Sequence, residues 1–194
     1  SFDPIKLNAG SAETVLFEGM SFVGDKNNSS YFTSSSTYAN GAASQDALFQ
    51  TERNGKTLRY TIPVPNGVYT VKTYHNELWF GKGGPSATAG RRVFDISLEG
   101  ALVKDNFDIY LESNNLPVVF TFEDITVTDG VLNLNMVSSK DRASISGIAI
   151  LGESKTSMST IQARLATSDS LKIMESNEEE RNRDLVITLY PNPA

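Results

Sequence analysis

A chain of 194 residues with a formal net charge of −6, one histidine and no cysteine has room for one sizeable core and excludes disulfide staples and thiolate metal sites. Its acidity, with no basic stripe, argues against a nucleic-acid partner, because binding a polyanion depends on Lys and Arg displacing counterions. No apolar run approaches the ~20 residues of a membrane span, so no membrane insertion is expected.

The opening SFDPIKLNAG carries neither an initiator methionine nor the charged and apolar regions of a signal peptide, and reads as a processed or excised piece. From there to residue 151 the chain is a series of short β-rich runs. In order they are TVLF (14–17), ALFQTE (47–52), TLRYTIPV (57–64), VYTVKTYH (68–75), RVFDISL (92–98), ALVKDN (101–106), VVFTFE (118–123), ITVTD (125–129), VLNLNMV (131–137) and ISGIAIL (145–151). So many short strands without an amphipathic helix predict an all-β fold, two packed antiparallel sheets in a jelly-roll-like sandwich. Leu132, Leu134 and Met136 alternate with Val131, Asn133, Asn135 and Val137, so this strand is expected to bury one face only.

Three turn signals punctuate the runs. Asp129-Gly130 is a strong hairpin signal, Glu99-Gly100 is a weaker one, and Pro65-Asn66-Gly67 turns the chain from TLRYTIPV into VYTVKTYH; all three predict antiparallel meanders. Two loops exceed what hairpins require: residues 25–46, with Tyr31, Phe32 and Tyr38 among Asn, Ser and Gly, and GKGGPSATAG at 81–90. Long loops in compact domains tend to carry function.

Composition shifts after Leu151. The expected organisation is a β domain over 1–153, a polar linker over 154–184 whose EEERNRD has the charge density of a solvated segment, and a strand-like piece over 185–194.

Several chemistries lack their residues. His75 lies mid-strand with no G-x-S-x-G nearby and reads as structural. No His or Cys set and no D-x-D-x-D-G loop announces a metal, so no cofactor is expected and a structural calcium has no motif behind it. Glu77, Asp95, Asp108 and Asp141 offer carboxylates for glycoside hydrolysis, as any acidic sandwich would.

Trp79, the only tryptophan, sits beside Phe80 and ahead of the glycine cluster. Neighbouring side chains on a strand point to opposite faces, so one ring is expected to look outward.

LNAG (7–10), FQTER (49–53), IPVPNGVYTVKTYHNELWF (62–80), RRVFDISLEG (91–100), KDNFDIY (104–110), ITVTDGVLNLNMV (125–137) and SISGIAIL (144–151) follow one another as in malectin and malectin-like carbohydrate-binding modules. The resemblance spans about residues 4–151 and rests on the ordered set of segments. It implies a β-sandwich lectin domain that binds glucose-containing oligo- or polysaccharide through loop aromatics and an aspartate. Carried over by position, those residues are Tyr38, the pair Trp79 and Phe80, and Asp141; Asn54 stands where the family has a further tyrosine. Glu77 is a neighbouring candidate. A pyranose has an apolar C–H face and a rim of hydroxyls, so flat rings beside amide and carboxylate acceptors suit it. Blander readings stand beside these: Phe80 as core, Tyr38 as a loop anchor, Asp141 as a turn cap. Arg92 with Asp95, and Asp108 with Lys104, read as scaffold contacts.

The final LYPNPA resembles the start of the sorting domain that Bacteroidetes proteins carry for type IX secretion. That implies an extracellular or cell-surface bacterial protein, attached to a parent enzyme or adhesin. Three functions remain open: a non-catalytic carbohydrate-binding module, a protein-binding or assembly module, and a glycoside hydrolase.

Overall fold

A computed structural model describes residues 2–154 and 186–189. Two sheets form the sandwich. The larger contains β1 (Ile5–Asn8), β2 (Val15–Phe17), β3 (Met20–Gly24), β7 (Gly67–His75), β10 (Val118–Val127), β13 (Gly147–Ser154) and β14 (Val186–Leu189), in the order β14-β10-β7-β13-β1-β3-β2. The smaller contains β6 (Thr57–Pro63), β8 (Val93–Leu98), β9 (Ala101–Phe107) and β11 (Val131–Lys140), in the order β6-β11-β8-β9. A third, three-stranded sheet of β4 (Ser36–Ala39), β5 (Thr51–Gly55) and β12 (Ala143–Ile145), ordered β12-β5-β4, completes the set. Among the described residues all strand pairings are antiparallel except β1 with β3.

The main core lies between the two large sheets, where Leu58, Tyr60 and Ile62 of β6, Phe94 and Ile96 of β8 and Leu132, Leu134 and Met136 of β11 meet Val71, Phe120, Ile148 and Ile150. Alternation on β11 is as the sequence predicts: Leu132, Leu134 and Met136 are fully buried while Val137 is exposed. A second cluster of Phe17, Phe22, Leu48, Phe49, Tyr74 and Val119 covers the outer face of the larger sheet. The C-terminal end of β7, Thr73 to His75, is therefore buried on both sides, while Val68, Thr70 and Lys72 stay half-buried.

That second cluster explains one departure from the expected strands. Leu48 and Phe49 are adjacent and both fully buried, which a strand cannot achieve on one face. Residues Ala47–Gln50 instead form a 3₁₀ turn that turns both side chains to the cluster, and only then does β5 begin. The runs at 118–123 and 125–129 are a single strand, with a register break between Phe122 and Ile125 and Asp124 at φ 57°. The run at 145–151 is cut in two at Ser146, whose N–H donates to Tyr74 and whose carbonyl accepts from Ala9. The one α-helix among the described residues, α1 (Ile109–Ser113), is capped by Asp108, whose carboxylate accepts from the N–H groups of Tyr110 and Leu111.

Of the three turn signals, the weaker one forms the hairpin. Glu99-Gly100, with φ of 49° and 79°, joins β8 to its paired neighbour β9 in a true hairpin. The other two do not form hairpins. Pro65-Asn66-Gly67 carries the chain from β6 in one sheet to β7 in the other, and Asp129-Gly130 from β10 to β11 likewise. These arches lie side by side: Val64 N–H donates to Gly130 O at 3.0 Å and Gly130 N–H to Asn66 Oδ1 at 2.8 Å. Turn chemistry reverses the chain, but the apolar faces that must be covered decide which sheet receives it.

Of the expected linker at 154–184, all but Ser154 lies outside the described residues. From the expected C-terminal piece, Val186–Leu189 are described: they add a strand to the β10 edge, with Val118 opposite Leu189 and Thr121 opposite Val186.

Candidate functional site

A cleft of about 290 Å³ opens over the third sheet. Strands β4 and β5 pair so that Ser36 faces Asn54 and Tyr38 faces Glu52. Side chains alternate along a strand, so these four residues share one face, and all four line the cleft.

The opposite wall comes from the loop after β7. Trp79 is 42% exposed and meets Tyr38 edge to face, with ring centroids 5.7 Å apart. The glycine cluster is what lets this happen. Trp79 O accepts from the N–H groups of Lys82, Gly83 and Gly84, folding the loop back under its own indole. A Cβ on Gly84 would come within 2.4 Å of the Trp79 indole, and one on Gly83 within 2.7 Å of the Tyr38 hydroxyl. Lys82 pins the loop by donating to Asn76 Oδ1 and Ala43 O; burial lowers its pKa.

Phe80 points elsewhere. It is half-buried in a separate, water-sized pocket with Ile109 and Asn115, with the Arg91 and Arg92 guanidinium carbons 5.3 and 5.5 Å from its ring centroid. The two neighbouring rings do part as expected, with Trp79 outward, but not by strand alternation: β7 ends at His75, and a turn held by Glu77 separates them.

Glu77 is buried and does not line the cleft. Its Oε1 accepts from the backbone N–H groups of Trp79 and Phe80 at 2.9 and 3.1 Å, and its Oε2 takes Arg92 Nε at 2.6 Å. It fixes the turn that aims the two rings and has no oxygen left for a ligand facing the cleft.

Arg92 is the hub beneath the cleft. Besides Glu77, it donates through Nη1 to Arg142 O at 2.7 Å and pairs with Asp141 Oδ2 at 3.3 Å. Burial pulls its pKa down, but the Glu77 hydrogen bond and the charges of Glu77, Glu52 and Asp141 outweigh that and hold it above the usual arginine value. Asp141 sits between β11 and β12 at φ 51°, a left-handed position that Asp tolerates. Its side chain is 35% exposed on the cleft. The expected pairing of Arg92 with Asp95 is thus incorrect, since Asp95 accepts from Asn106 N–H. Likewise Lys104 pairs with Glu112, while Asp108 holds α1 and Gly90 N–H.

Glu52 escaped the sequence reading. It is 2% exposed at the cleft floor; Oε1 accepts from Asn54 Nδ2 at 2.8 Å, and Oε2 is buried without a partner. Burial is the main force raising its pKa from 4.5 to about 7, opposed by Arg92 and reinforced by Glu77 and Asp141. Arg142, whose Nη2 donates to Ser36 Oγ at 2.8 Å, was also missed. The available signals were period-two spacing from Asn54 back to Glu52 and adjacency to Asp141.

The cleft therefore joins Tyr38, Asn54, Trp79 and Asp141, and leaves Glu77 and Phe80 behind it. His75, fully buried, bonds Ser144 O through Nδ1 and Thr73 Oγ1 through Nε2, both at 2.9 Å, and burial lowers its pKa to about 4. Among the described residues no group of three His, Asp or Glu side chains is placed to hold a metal, and no helix is long and apolar enough to cross a membrane.

An antiparallel β-sandwich with an aromatic and carboxylate cleft at the end of its strands defines a lectin-like binding module. The chain belongs to the malectin domain family, which matches residues 4–163 and whose domains typically bind carbohydrate or another extracellular ligand. A probable LRR receptor-like serine/threonine-protein kinase of Arabidopsis thaliana is 28% identical over 139 residues, 68% of this chain and 13% of that protein. Among solved structures, a Bacteroides uniformis β-glucuronidase aligns with a TM-score of 0.63 at 19% identity, over 77% of this chain and 18% of that one. The plant receptor-like kinase FER aligns at 0.58 and 21% identity, over 78% and 42%. These structural likenesses concern the fold. The chain spans less than half the length of each relative, and the kinase's catalytic part lies outside the matched domain.

Proposed function

We propose that this chain is a non-catalytic carbohydrate-binding module that takes a glucan-like oligo- or polysaccharide in the Trp79 cleft and tethers a larger secreted protein to it. The observation that carries the reading is the exposed indole of Trp79 sharing one small cleft with the Asp141 carboxylate. The indole face covers a sugar's C–H face, the Tyr38 edge closes one side, and Asp141 accepts hydroxyl hydrogen bonds, each worth ~1.5–3 kcal/mol when charge-assisted. Arg92 holds Asp141 in place, so little ordering is left for the ligand to impose. The cleft is small for a ligand site, and immobilisation opposes binding, so Kd is expected between ~10 μM and 1 mM.

Secretion by a bacterium through a type IX route, with residues 185–194 opening a sorting domain after a linker, belongs to the same proposal and draws on the LYPNPA segment. Affinity-gel retardation on a panel of glucans, compared with Trp79→Ala and Asp141→Ala, tests it. Retardation of the wild type and release of both variants is expected; a wild type that migrates freely on every glucan ends the carbohydrate reading.

One observation favours a protein-binding alternative: the β10 edge accepts a short added strand, Val186–Leu189, and strand addition is a common mode of peptide recognition. FER has itself been solved with the peptide RALF23 and LLG2. Peptide capture surviving Trp79→Ala would favour that alternative. For a hydrolase, Asp141 and Glu52 are the carboxyl groups that line the cleft; reducing-sugar release from the same panel tests it.

A further inference from the structure

Glu52, Glu77 and Asp141 converge on one guanidinium, Arg92, beneath the cleft, and Arg142 joins them on the cleft wall. Three carboxyl groups around one hub are one too many. Glu77 holds Arg92 through two contacts, at 2.6 and 3.2 Å, and Asp141 holds it through one at 3.3 Å. Glu52 holds neither arginine: its one hydrogen bond comes from Asn54, and Oε2 is buried and unpartnered. A carboxylate left in that position carries an uncompensated buried charge, whereas a carboxylic acid carries none.

We propose that Glu52 is a positioning residue that occupies the cleft floor as a neutral acid, and that its loss of a proton weakens ligand binding by drawing Arg92 away from Asp141. The inference rests on the cleft being the ligand site and adds a regulation to it.

The direction follows from two effects with the same sign. Ionised Glu52 competes for Arg92, and the longer, half-exposed Asp141 contact is the weaker of the two existing ones, so Asp141 loses its anchor first. A ligand that displaces water from the cleft also lowers the dielectric above the buried Glu52, which favours the protonated form; by linkage, binding takes up a proton and is tighter where that proton is available. The groups facing Glu52 are Arg92, which opposes protonation, and Glu77 and Asp141, which favour it. With its proton held to about pH 7, the change falls in the neutral range.

Two measurements on the intact chain test this. Emission of Trp79, the single tryptophan, followed without ligand from about pH 5.5 to about pH 8.5, is expected to titrate near neutrality in the wild type and not in Glu52→Gln. Titration calorimetry with a retained glucan oligomer is expected to show affinity falling about three- to tenfold across that range, with proton uptake revealed by buffers of different ionisation heat. Glu52→Gln is expected to bind with an affinity that does not vary with pH. A flat wild-type emission profile, a wild-type affinity indifferent to pH, or a pH dependence that persists in a folded Glu52→Gln would each overturn the proposal. A neutral titration of Trp79 in a protein that retains no glucan at any pH would remove the carbohydrate reading while keeping the protonic control of the cleft.

Discussion

Two neighbours on β5 look into opposite networks. Arg53 turns inward to a closed one: its Nε and Nη2 each donate to an Asp25 oxygen at 2.8 Å, Nη1 reaches Ser35, and its guanidinium carbon lies 3.4 Å from the Phe32 ring centroid. Asp25 also accepts from Tyr60 Oη and Gly10 N–H. Glu52 turns to the other face and an open network, where Arg92 shares itself between a buried and a half-exposed carboxylate and one oxygen has no partner. Both networks are ionic and buried. The first satisfies every partner and serves as scaffold; the second leaves capacity unused, and it lies under the cleft.

The largest effect should come from breaking the closed network. Asp25→Ala strands a buried guanidinium and a buried phenol, and is expected to cost about 3–5 kcal/mol in denaturant unfolding. A loss below about 1 kcal/mol would mean the two networks do not differ as described.

Next is the pH signature of the open network. Glu52 keeps its proton to about pH 7 when folded, against an ordinary 4.5. The stability it contributes is therefore full below 4.5 and lost as pH rises through 7, on the order of 3 kcal/mol in total. His75, lowered from 6.5 to about 4, acts oppositely: its contribution is present above 6.5 and lost as pH falls through 4. The two offset where they overlap. Wild-type Tm is expected to be nearly level from about pH 4.5 to about pH 6.5, and Glu52→Gln should convert that plateau into a rise of roughly 6–12 °C. Scanning calorimetry giving both proteins the same profile would contradict it.

Binding effects are smaller in free energy. Trp79→Ala is expected to weaken glucan binding about 10- to 100-fold, or ~1.4–2.8 kcal/mol, while its unfolding midpoint barely moves because the indole packs on the surface. Gly84→Ala probes the same ring from below: a methyl group there must push the indole aside, with an expected affinity loss of about three- to tenfold. Unchanged affinity would show that the position of the ring does not matter. Smallest of all, Phe80→Leu should change affinity less than about twofold, because Phe80 faces away from the cleft; a loss equal to that of Trp79→Ala would place Phe80 in the site.

Much of this was legible in the residues. Alternation on VLNLNMV specified a half-buried strand, the family pattern ran through the strands in order, and one outward ring was expected of the Trp79-Phe80 pair, although a turn and not strand alternation separates the two. Other features were not. ALFQ has the composition of a strand, yet two adjacent apolar residues needed one and the same cluster, and the backbone coiled to give it to them. Glu77 carries the residue type of a ligand contact, and its neighbours decided otherwise.

The sequence by itself determined the all-β class, the spacing of the strands and the residues available to the cleft, because side-chain periodicity and turn chemistry are local properties. Only the tertiary structure decided that Pro65-Asn66-Gly67 and Asp129-Gly130 cross between sheets, that Arg92 serves Glu77 and Asp141, and that one oxygen of Glu52 lies unpartnered among them. Which sheet a reversed chain joins, and how many charges share one guanidinium, depend on segments distant in sequence competing for the same covered space.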